Sequence, residues 1–426
     1  MFRVLLAIIG GAISATYPVM AQDTNYEEFK QIVQENSYTL ALNDGQASGA
    51  GFDWLIEQGA EAQYFLIGER HGLAEIPTIS ASLFEALVEQ GYRHAALEFG
   101  PFGARLAEEK LKQGGYNALE KYLTSQDGLG SIAFLDWREE SEMAARIYAA
   151  SGLKHGALWG LDQEFFIGFR AHLAFLEKKA KTKKQLRAIV TMRERLDADP
   201  KLLLNITPKE LETFSHVFAP LNDSEVDELL RQIIFSNYIY GPWAAQKRIS
   251  YAESNIRRED NMKDNFVALE RAWRIKTGKP PKVFFKFGGF HSAPSFDLQN
   301  GRIMLGTFIE AYARANGHSA FNLFMECYSG ARLTSGQDAG SSAGEDHSCS
   351  SYFGEIDADA PVGDRHMLSE FLDESDKFIL FDLRPIRLQM DKFKFLSSED
   401  RELITGFDAY LLIPSANAAY TYELAD

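Results

Sequence analysis

The stretch YFLIGERHGLAE, Tyr64 to Glu75, decides how this chain is read. Its first four residues make a buried strand that runs straight into a glycine, two charged residues and a histidine. Charged groups are costly to bury, so Glu69, Arg70 and His71 at the end of an apolar run need a reason. In open α/β sheets that reason is often a ligand site beyond the carboxyl ends of the strands. An extended segment puts Glu69 and His71 on the same side. Gly68 and Gly72 let the backbone turn closely around the pair.

Outward from this stretch, strands and helices alternate. AQYFLIG reads as a strand, Pro77 to Gln90 as a helix and YRHAALEFG as a second strand. Arg105–Tyr122 and Glu139–Ser151 read as helices, and GALWGLD as a third short strand. PKVFFKFGGFH, KFILFDL and FDAYLLIP add strands later, while Asn25–Gln58 reads as a helical lead-in. The pattern predicts an α/β fold with a parallel or mixed central sheet flanked by helices. Residues from about 164 to 275 read as a long helical insertion, too large for an ordinary connection. The late strands are expected to complete the first sheet, which makes residues 22–426 one domain. Ser329–Gly354 reads as a long mobile loop.

The 426 residues are 46% hydrophobic and 24% charged, enough for a substantial core. A formal charge of −16 argues against a nucleic-acid surface. Residues 1–21 read as a signal peptide: Arg3, an apolar stretch from Val4 to Ala15, then Val19-Met20-Ala21 as a cleavage site. The apolar part is short for a spanning helix, and no cysteine stands at the cleavage site for a lipid anchor. The expected location is periplasmic or secreted, with no stable membrane anchor. Cys327 and Cys349 either pair or remain one buried and one exposed thiol; spacing does not choose.

The strand ends supply Glu69 and His71, then Glu98 from AALEFG, Asp162 and Glu164 from GLDQE, and His291 from FFKFGGFHS. Imidazoles beside carboxylates suit general acid–base work on water. The set His71, Glu98 and His291 suits a divalent metal equally well. No HExxH, CxxC, P-loop or GxSxG pattern points elsewhere. Arg258, Met262 and Asn265 share a helix face, so Arg258 is a candidate for meeting negative charge on a substrate. Glu139 or Glu142 of WREESEMAARI is a candidate to reach the cleft, and Asp162 has a helix-capping alternative.

In order along the chain, LIGERHG, AALEFG, WREESE, GLDQE, RREDNMKDNF, FFKFGGFH and FDAYLLIP resemble the erythromycin esterase-like family. That family belongs to a wider group with the haem-binding ChaN-like and the TraB/Tiki-like proteins. The resemblance implies a cleft of histidines and glutamates acting on a small-molecule or peptide substrate, with water activated for hydrolysis. It assigns His71, Glu98, Glu69 and His291 to the cleft and Arg258 to the arginine ahead of a methionine and an asparagine. Two departures stand out. Gly68–His71 has the GxxH spacing of ChaN-like and Tiki-like proteins, and Gly288 occupies the place of an esterase histidine, which makes Gly288–His291 a second GxxH. Paired GxxH resembles metal-dependent Tiki-like hydrolases. Haem binding, with Tyr238 and Tyr240 beside the histidines, is the rival reading.

Overall fold

The computed structural model describes residues 19–244, 248–293, 296–297, 302–333, 346–348, 368, 371 and 377–424. The greater part of the predicted signal peptide therefore lies outside the described residues. No described helix is long and apolar enough to cross a membrane.

Nine strands form one sheet. They are β1 (Ser37–Asn43), β2 (Gln46–Ser48), β3 (Tyr64–Glu69), β4 (Tyr92–Leu97), β5 (Leu158–Gly160), β6 (Lys282–Gly288), β9 (Ala320–Cys327), β12 (Phe378–Asp382) and β13 (Ala409–Ile413). Between them, β7 (Phe296–Asp297) pairs with β8 (Arg302–Ile303), and β10 (Ala331–Leu333) with β11 (Asp346–Ser348). The sheet order is β2-β1-β12-β13-β9-β3-β6-β4-β5. From β13 to β5 every pairing is parallel, and the β12, β1 and β2 edge is antiparallel.

Burial explains the composition of the central strands. All six residues of β3 are buried, as are six of the seven in β6. Alternate side chains enter opposite layers, as strand geometry requires. Phe65, Ile67 and Phe284 join the core beneath helices Ala50–Glu61, Glu75–Leu87, Pro101–Leu123 and Arg138–Ser151, whereas Tyr64, Leu66, Phe285 and Phe287 pack against helices Arg248–Thr277 and Leu305–Ala315.

Two expectations need correction. Asn25–Gln58 is not helical throughout: the helix ends at Glu35, and the β1–β2 hairpin follows before the helix Ala50–Glu61. β9 lies beside β3 near the middle of the sheet and was absent from the sequence reading. Its AFNLFMEC is as short as many buried helical runs, and only tertiary pairing distinguishes the two. Between Phe166 and Thr277 the elements among the described residues are all helical, with an apolar core of their own around Phe169, Leu173, Ile189, Phe214 and Leu229. Part of the stretch read as a mobile loop is the β10–β11 pair; residues 334–345 and 349–354 lie outside the described residues. Cys327 is disulfide-bonded, and Cys349 lies outside the described residues.

Candidate active site

The parallel strands deliver their carboxyl ends to one place. Glu69 closes β3, Glu98 follows β4, Asp162 follows β5, and His291 sits one turn after β6 in the short helix Gly289–Ser292. Arg258 and Glu259 arrive from the helix Arg248–Thr277.

Glu98 is the hub. Its Oε1 accepts from Arg258 Nη2 at 3.0 Å and lies 3.3 Å from His291 Nε2. Its Oε2 accepts from the Gly288 backbone N–H at 2.7 Å and faces His71 Nε2 at 3.6 Å. Each imidazole is held from behind by another carboxylate. His71 Nδ1 meets Glu69 Oε1 at 2.8 Å, and His291 Nδ1 meets Glu259 Oε1 at 2.6 Å. Arg258 also donates from Nε to both oxygens of Asp162, at 3.0 and 3.2 Å. Asp162 is thus an ion-pair partner with Oδ1 also accepting from the Gln163 N–H, while Glu164 accepts from Phe102 N–H at the start of Pro101–Leu123.

The electrostatics follow from these contacts. Burial opposes ionisation of Glu98, but His291, His71 and Arg258 outweigh it and hold the carboxyl well below its usual range. Burial opposes protonation of His291, yet Glu98 and Glu259 push it up to about 10. For His71, burial is again outweighed, by Glu98 and Glu69, and the imidazole sits above its ordinary value. Burial pushes Glu140 up to about 7, against the pull of Lys286.

His71 is the accessible member, with 31% of its side chain exposed against 10% for His291 and 6% for Glu98. One face of its ring stacks on Phe134, 4.6 Å between centroids. Phe134 has a φ of 66°, a strained conformation for a bulky residue. Gly288 has a steric role: a Cβ there would lie 2.7 Å from His71 Nε2. A cavity of about 10 Å³, lined by Glu69, Glu98, Glu140 and Lys286 and on its apolar side by Leu97, Phe99, Phe134, Leu135 and Met143, adjoins the cluster. That is the scale of one water, so an organic substrate must approach from the exposed side of His71.

Residues 416–422 tie down the loops that carry these groups. Leu73 bridges to Ala418 and Trp137 to Thr421, and backbone bonds join Ala74 N–H to Asn417 and Arg138 N–H to Tyr420. Gly72 lies where a Cβ would fall 1.8 Å from the Leu333 carbonyl oxygen, and its φ of +90° suits glycine alone.

Glu69, His71, Glu98, Asp162 and His291 thus lie together at the strand ends, Arg258 joins them from its helix, and Glu164 is engaged instead with Phe102 N–H. Glu139 and Glu142 do not join them: Glu139 accepts from Tyr420 N–H, and the buried Glu140 takes the inward position. Lys286, Glu140 and Glu259 were missed. A lone lysine in the apolar run FFKFG was the available signal for Lys286. Met262 is fully buried, and Asn265 donates to the Leu161 carbonyl at 2.6 Å, so both anchor the helix bearing Arg258. Of the tyrosines considered for haem, Tyr240 bonds Gln163 and Tyr238 bonds Glu253 at the surface.

The donor set does not fit a metal. Among the described residues no group of three or more His, Cys, Asp or Glu side chains is arranged to hold one. Both Glu98 oxygens already face donors, and the Arg258 guanidinium stands beside them, where a cation would be repelled.

No protein-family model and no curated protein matches the chain. Among solved structures, it is similar to a structural-genomics target from Bacillus cereus, at TM-score 0.56 and 14% identity over 94% of this chain and 99% of that one. A succinoglycan biosynthesis protein gives TM-score 0.56 and 13% identity, over 94% and 98%. An erythromycin esterase in its open conformation gives 0.49 and 16%, over 88% and 95%.

Proposed function

We propose that the protein is an exported hydrolase that activates water to cleave an ester or amide through His71. The carrying observation is the Glu69–His71 pair: a buried carboxylate 2.8 Å from Nδ1 of the one substantially exposed imidazole in the cluster. With the proton on Nδ1, Nε2 is the basic nitrogen and takes a proton from water as the oxygen attacks the carbonyl. Glu69 stabilises the imidazolium that results, and His71 then returns the proton to the leaving oxygen or nitrogen. Glu98, held ionised by its cationic neighbours, orients the cluster. Arg258 supplies fixed positive charge for the tetrahedral oxyanion. His291, protonated at neutral pH, is a second fixed cation.

Because the His71 pKa is raised, the acidic limb of the pH–rate profile, where this base loses its proton, should lie above that of a free imidazole. The test is a panel of p-nitrophenyl esters and anilides assayed with wild type and His71→Ala. Turnover lost in the variant supports the reading; turnover that persists in it, or a wild type inert to the whole panel, overturns it.

A further inference from the structure

Lys286 has no part in the reaction just described, and packing gives no reason for it. It lies inside β6, in register with Ile67 of β3 and Leu97 of β4, on the face that carries Phe284. An apolar side chain there would fill the same layer without desolvating an ammonium group. Instead Nζ meets Glu140 Oε1 at 2.6 Å and Glu69 Oε1 at 2.6 Å. The same Glu69 oxygen meets His71 Nδ1 at 2.8 Å. Glu140, Lys286 and Glu69 are each no more than 5% exposed. A continuous polar line therefore runs from the helix Arg138–Ser151, across the sheet, to the accessible imidazole.

We propose that Lys286 and Glu140 are positioning residues for His71, fixing Glu69 Oε1 where it holds the imidazole with its proton on Nδ1. The inference deepens the hydrolase reading and rests on it for its catalytic consequence. A glutamate has three rotatable side-chain bonds, so a bond to histidine alone leaves its carboxylate free to swing. Lys286 gives that oxygen a second, charged partner, and charge-assisted bonds are the strong ones. Glu140 in turn holds the ammonium from the helix side, so that Lys286 cannot turn wholly toward Glu69. The arrangement fixes which ring nitrogen is basic, by the same logic as a carboxylate that orients a catalytic histidine.

The experiment compares wild type with Lys286→Met, Lys286→Arg and Glu140→Gln by nitrogen-15 NMR of the His71 ring, assigned by its loss in His71→Ala. Hydrolysis of p-nitrophenyl acetate is followed in parallel. Lys286→Met is expected to convert the ring from the Nδ1-protonated tautomer to a mixture and to lower kcat about 10- to 100-fold, with KM nearly unchanged. Lys286→Arg should recover part of both signals. Glu140→Gln, which keeps the volume, should shift the ring in the same direction by less, and it decides the matter if Lys286→Met does not fold. Wild-type ring signals in a folded Lys286→Met or Glu140→Gln variant would overturn the inference. An inert wild type would remove the hydrolase reading instead, and the ring signals would still test the positioning.

Discussion

The two GxxH segments, Gly68–His71 and Gly288–His291, have the same spacing and nearly the same partners. Both imidazoles present Nε2 to Glu98 and Nδ1 to a further glutamate. Their surroundings separate them. His71 follows β3 into a loop, keeps a third of its side chain exposed and leans on Phe134. His291 lies in a helical turn, nine-tenths covered, between Glu98 and Glu259, whose other oxygen accepts from Leu305 N–H. One spacing therefore yields two roles. On the proposed hydrolase reading the accessible ring exchanges protons with a substrate, whereas the covered one, raised to about 10 by Glu98 and Glu259, is a fixed countercharge. Burial makes that difference, and it is not written in the motif.

The largest test of this contrast is His71→Ala, expected to lower kcat/KM about 10²- to 10⁴-fold. Its unfolding free energy should stay within about 1 kcal/mol of wild type, since the side chain is partly exposed. Steady-state kinetics beside urea denaturation would show both. Equal effects of the two histidines on folding would break the comparison.

His291→Asn should do the reverse on stability. It takes the imidazolium away from buried Glu259 and removes one of the cations around Glu98, which keeps Arg258, at a cost of about 3–5 kcal/mol in the same urea experiment. The role of Gly288 comes next. Gly288→Ala brings a methyl group to 2.7 Å from His71 Nε2 and should lower kcat about 10²-fold with the fold retained, as measured by kinetics and circular dichroism.

The last test is the pH dependence of folding. The folded His291 value of about 10 exceeds the ordinary 6.5, so the folded state binds more protons between these values. Its contribution is complete below pH 6.5 and is lost as pH rises through about 10. Urea midpoints of wild type should converge on those of His291→Asn across that window. A constant gap would mean that His291 is not the buried cation described.

How much of this was legible follows from where each signal resides. Strand ends are local: an apolar run meeting a charge shows in one segment, and Glu69, Glu98, Asp162 and His291 were found that way. Arg258 was found from helical spacing, which is local too. The partners that fix them depend on register. Lys286 reaches Glu69 because β6 lies beside β3, although 217 positions separate the two residues in the chain. Glu140 rather than Glu139 turns inward because of how one helix is rotated on the sheet. The stretch 37–48 was read as helix because its pairing partner, β12, comes more than 300 residues later.

The strap formed by residues 416–422 has a consequence for biosynthesis. It is among the last of the described residues to be translated, yet it braces the loops after β3 and before Arg138. β3 itself gains both neighbours only from residues beyond 281. A nascent chain that has exposed Glu69 and His71 to solvent therefore has no means of holding them in register. The cleft is assembled after translation of the sheet is complete, and amino-terminal fragments from stalled or cleaved synthesis would carry the residues without the geometry.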